Sequence, residues 1–159
     1  MFKIKNRIAK NILSALAVAG FGFLLLNVAF IFDFLFQSLV MGCIKFFVPF
    51  DIMMNLAWFP QMMHLAFLAI IGLITWAVFR TKWRVLYKAI YMTVPLATVF
   101  ATFGMFFYRW PVAAYSLSGL FGLAILYHLY TTKQPWLYYY TLILVSLAML
   151  MVGILGLEI

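Results

Sequence analysis

Apolar residues in this chain come in runs too long for a water-soluble fold, and polar residues fall almost wholly in the gaps between them. Five runs reach or approach the ~20 residues that carry a helix across hydrocarbon. They cover about 11–32, 62–79, 85–107, 111–131 and 137–157, the second entered through 55–61. The breaks are short: Arg80 to Arg84, Tyr108-Arg109-Trp110, and Thr132 to Trp136. Pro111 suits a first helical turn. Pro95 lies inside the third run and predicts a lost backbone bond and a kink near Tyr91. Backbone groups in lipid are satisfied only in helices and closed barrels, and the alternation of barrel strands is missing. The pattern predicts an all-α fold. It is a polytopic membrane protein, a five-transmembrane-helix bundle forming one integral membrane domain over 1–159.

Residues 33–50 are apolar enough to suggest a sixth span, and charge argues against it. With five spans and the N-terminus inside, Lys3, Lys5, Arg7, Lys10, Arg80, Lys82, Arg84, Lys88 and Lys133 fall on the inner side. Lys45 and Arg109 fall outside. A sixth span would nearly equalise the two sides and erase the positive-inside bias. Asp33, Gln37 and Lys45 recur at multiples of four, a polar helical stripe. The segment therefore reads as an outer amphipathic helix at the interface, or a helical extension of the first span, ended by Pro49 and Asp51. Trp83, Trp136 and Tyr138–Tyr140 fall near the inner interface, and Trp58, Tyr108 and Trp110 near the outer one, as aromatic belts do.

Composition agrees. The hydrophobic fraction is 69% and the charged fraction 9%, against about 45–50% and 25% in soluble domains. The net charge of +8 flanks apolar runs and lines no continuous polar face, so membrane lipids are the expected partner and nucleic acid is not. The basic start and first run resemble a signal peptide. The run is longer than a 7–15-residue signal core and no small-x-small site follows, so it is expected to be retained. Cys43 is alone, which excludes an intrachain disulfide and a Cys-x-x-Cys motif. Small residues suggest close helix packing: Ala15, Ala19, Gly20 and Gly22; Ala97 and Ala101; Ala114, Ser118 and Gly122; Ser146 and Gly153.

No catalytic or nucleotide-binding motif is present, and the acids Asp33, Asp51 and Glu158 show no paired-carboxylate spacing. Depth counting is more informative. Asn27, His64, Thr102 and Ser116 each lie outward of the middle of their span and share a level about 8–9 Å from the midplane. Polar groups at that depth face the bundle interior. They predict a ligand-binding polar pocket in the outer leaflet, open toward Asp33, Asp51 and Arg109; the plainer reading is that they bond one another as packing glue. His128 reads as interfacial at the other end, so the two histidines cannot sandwich a haem. Met41, Cys43, Met53, Met54, Met62, Met63 and His64 would suit Cu(I), but Met also fills apolar gaps. No metal site is assigned, and any cofactor is unknown.

The leading expectation is a small, non-enzymatic integral membrane protein of the cell or plasma membrane. Its N-terminus is cytoplasmic and its C-terminus outside. It binds or passes a small molecule or lipid through the outer pocket. The alternative is an accessory subunit without a ligand of its own, contacting a protein partner or forming a homo-oligomer; an intramembrane enzyme or a Cu(I) site ranks below both. In a variant with Cys43 replaced, a cysteine at position 109 should react with an impermeant reagent from outside, and one at position 82 only from inside. The reverse would overturn the threading.

Overall fold

The computed structural model describes residues 2–46 and 59–155, without the side chains of residues 2–6 and Pro60. It contains five helices: α1 (Phe2–Ile44), α2 (Phe59–Arg80), α3 (Val85–Phe106), α4 (Pro111–Thr131) and α5 (Trp136–Leu155). Each is long and apolar enough to cross a membrane, and the fold is an all-α bundle.

The central helix is α3. It packs against all four others, while α1 also touches α2 and α5, and α5 touches α4. Half of the most apolar stretch of α3 is buried (50%), against 6% for α4. One core cluster joins Ala89, Met92, Leu96, Ala97 and Phe100 of α3 to Val18, Leu129, Leu137, Tyr138, Leu142 and Val145. A second joins Val94 to Phe67 and Ile71 of α2, with Leu25, Ala29 and Phe36 of α1 against it. Helices α2 and α4 both lean on α3 and form no packed interface with each other. Pro95 is accommodated without interrupting α3.

The sequence puts the end of the first span near Phe32. In the structure α1 runs on to Ile44 as one helix of 43 residues. At 1.5 Å per residue it is about 65 Å long, roughly twice the hydrocarbon thickness. Residues 33–44 thus take the form of a helical extension, and 47–50 lie outside the described residues. The polar stripe on this extension points inward. Val18, Gly22, Leu25, Ala29, Asp33, Phe36 and Gln37 follow one another at helical spacing on the covered side, while Phe34, Leu35 and Leu39 are exposed. An amphipathic helix at a water surface would turn Asp33 and Gln37 the other way. Here they find partners inside the bundle.

Close approach occurs at two glycines. A Cβ on Gly22 would sit 2.6 Å from Cγ2 of Thr93, and one on Gly153 would meet the Tyr115 hydroxyl at 2.8 Å. The stripe expected on α4 behaves differently, because a Cβ on Gly119 or Gly122 would meet nothing within 4 Å. Threonines stitch α3 to α1 and to α5. The Thr93 hydroxyl donates to the carbonyl of Ile90 (2.8 Å) and reaches that of Gly22 (3.3 Å). The Thr141 hydroxyl donates to Leu137 (2.9 Å) and reaches Ala89 (3.2 Å).

Gly22→Ala should destabilise the bundle by about 1–3 kcal/mol, the usual cost of overpacking. Thr93→Ser removes the clashing methyl, so Gly22→Ala/Thr93→Ser should lose less than the sum of the single changes. Reversible unfolding in mixed micelles measures both.

Candidate functional site

The end of the bundle that carries the α3–α4 loop holds a chain of polar side chains from three helices. Asp33 comes from the covered stripe of α1, His64 from the second turn of α2 and Thr102 from the last turns of α3. His64 Nδ1 lies 3.3 Å from Oδ2 of Asp33, and its Nε2 lies 3.0 Å from Oγ1 of Thr102. Gln37, one turn along α1, donates from Nε2 to the other Asp33 oxygen at 3.1 Å. The Thr102 hydroxyl donates to the carbonyl of Thr98 at 2.7 Å, and that of Thr98 to Val94 at 2.8 Å. His64 is 4% exposed and Thr102 7%. A buried charged group without partners is expensive, and this chain leaves neither imidazole nitrogen bare.

A cavity of about 270 Å³ opens beside this chain, lined by Gln61, Met105, Phe106, Tyr108, Arg109 and Trp110. Gln61 precedes His64 by three positions, and Met105 and Phe106 follow Thr102 by three and four. Such spacings put residues on one helix face, so the polar chain lies about 5 Å, one helical turn, beneath the cavity lining. Met105, Phe106, Tyr108, Arg109 and Trp110 are all exposed around it. Among the described residues Arg109 makes no ion pair or side-chain hydrogen bond, which leaves a guanidinium beside exposed apolar side chains.

Of the residues expected from depth, the structure joins His64 and Thr102 and adds Asp33. Arg109 lines the cavity. Asn27 is exposed and donates to its own helix, at the carbonyl of Phe23 (2.8 Å). Ser116 is exposed on α4. Neither belongs to the layer, because depth along a helix does not give rotation about it. Asp51 lies outside the described residues, as do Met53 and Met54. Gln37, Gln61 and Thr98 were not expected at the site. Their spacings of four, three and four from Asp33, His64 and Thr102 were the available signal. With both nitrogens of His64 engaged, a sulfur-ligated copper centre finds no free imidazole here. Among the described residues no three His, Cys, Asp or Glu side chains cluster as metal ligands.

The order carboxylate, imidazole, hydroxyl is also that of activated hydroxyl nucleophiles. Here the hydroxyl turns into its own helix and lies a turn below the cavity, which suits binding better than nucleophilic attack.

His64→Phe should cost about 3 kcal/mol, because it leaves Asp33 without its imidazole partner and with Gln37 alone. Thr102→Val should cost about 1 kcal/mol, typical of a hydrogen bond between membrane helices. Asn27→Ala and Ser116→Ala should stay within about 0.5 kcal/mol. Unfolding titrations in micelles give the ranking. No protein-family model, no curated protein and no solved structure matches this chain.

Proposed function

We propose that this multi-pass membrane protein binds a lipid or small amphiphile with an anionic headgroup at the cavity between α2 and the α3–α4 loop. The observation that carries the reading is the juxtaposition of Arg109, which makes no ion pair among the described residues, with the exposed apolar side chains of Met105 and Phe106. An amphiphile presents the same two halves, a charged head and a greasy body. Arg is suited to phosphate or carboxylate because its planar fork makes paired bonds. Tyr108 and Trp110 flank it with rings that settle at headgroup level. Gln61 offers a further amide to the head.

The charge distribution supports the orientation that goes with this reading. Arg80, Lys82, Arg84 and Lys133 sit in the loops at the opposite end from Arg109 and favour the cytoplasmic face. There Arg80 stacks over Trp76 at 4.0 Å, and Lys88 donates to the carbonyl of Phe79 at 2.9 Å. The N-terminus is then cytoplasmic, the C-terminus outside, and the cavity belongs to the outer leaflet of the cell membrane. Binding rather than catalysis is favoured by the buried Thr102 hydroxyl.

Native mass spectrometry from nanodiscs of mixed phosphatidylglycerol and phosphatidylcholine tests the reading. Wild type should retain phosphatidylglycerol selectively. Arg109→Ala should lower that retention about tenfold, since a hydrogen bond to a charged group is worth about 1.5–3 kcal/mol. Unselective retention, unchanged in Arg109→Ala, would refute the site. A co-purifying protein with no retained lipid would instead favour the accessory-subunit role.

A further inference from the structure

The chain Asp33–His64–Thr102–Thr98 contains more contacts than it has hydrogens. Three of them need one hydrogen each: Nδ1 to Asp33, Nε2 to Thr102, and the Thr102 hydroxyl to the Thr98 carbonyl. Ionised Asp33 brings no hydrogen, Thr102 brings one, and a neutral imidazole brings one. All three contacts are made together only when one more proton is present. Gln37 donating to the free oxygen of Asp33 is a partner suited to a carboxylate. The added proton then belongs to the ring as imidazolium.

We infer that Asp33, His64 and Thr102 form a proton-binding site inside the bundle, with the proton exchanging at Nε2 of His64. Loss from Nδ1 would set a nitrogen lone pair against a carboxylate oxygen at 3.3 Å in a buried site, which is repulsive. Loss from Nε2 needs no heavy atom to move. The Thr102 hydrogen swings from the Thr98 carbonyl to Nε2, and that carbonyl keeps the backbone N–H of the next helical turn. The ring is therefore a donor to Asp33 in both states, and at Thr102 it alternates between donor and acceptor. The proton comes from water and returns to it. Facing the site, α1 contributes Asp33 as its titratable group, α2 contributes His64 and α3 contributes none. Cys43 and Lys45 lie near the end of α1, and Tyr108 and Arg109 beyond the end of α3. The inference does not depend on what the cavity binds.

Nitrogen-15 NMR of the full-length protein, labelled at histidine and held in nanodiscs, reads the site directly; His128→Asn assigns the second signal. Under acidic conditions His64 should carry hydrogen on both nitrogens. Under alkaline conditions it should keep hydrogen on Nδ1 alone, the tautomer less common in water. Asp33→Leu should abolish that preference, whereas Thr102→Val should keep it. Hydrogen on Nε2 alone in the alkaline form would overturn the proposal, as would a ring unchanged from acid to alkali. If either variant fails to fold, the wild-type spectra still decide.

Discussion

Hydrocarbon offers no hydrogen bonds, so every polar group inside this bundle must find its partner within the protein. That constraint organises the molecule more than any apolar contact does, because lipid tails compete equally well for Leu and Phe. Among the described residues no buried side-chain nitrogen or oxygen is left without a partner. Thr75, Thr98, Thr102 and Thr141 each return a hydroxyl bond to their own helix four residues back. Groups that cannot be satisfied within one helix draw helices together, and Asp33, His64 and Thr102 do so for α1, α2 and α3.

The same constraint reverses the reading of helical amphipathicity. On a soluble protein a polar stripe marks the outside. The Asp33–Gln37 stripe has the expected spacing, yet it marks the inside, because the surroundings are greasier than the interior. Phe34, Leu35 and Leu39 face outward for the same reason. The interior of this bundle is recognised by what lipid excludes.

Much of the fold was legible in the sequence. Run lengths located five helices, four of them to within a few residues, and Pro111 and the basic loops placed the breaks. The continuity of α1 was less legible, since charge counting bears on sides of a membrane and not on whether a helix stops. The site was legible in depth and illegible in rotation. His64 and Thr102 share a level and meet, while Asn27 and Ser116 share it and turn away. Asp33 was read as a surface residue because its partner lies 31 positions along the chain, beyond the reach of any local pattern. The glycines of α4 looked like packing sites by spacing alone, but only Gly22 and Gly153 have a neighbour close enough to need the missing Cβ.

Helices α2 and α4 lean on α3 without a packed interface between them, and the cavity lies between α2 and the α3–α4 loop. A lipid bound as proposed would enter it from the leaflet rather than from water. A greasy occupant would arrive by two-dimensional diffusion, and the quantity governing its occupancy would be its mole fraction in the leaflet. Water solubility, which limits most binding pockets, would then matter little.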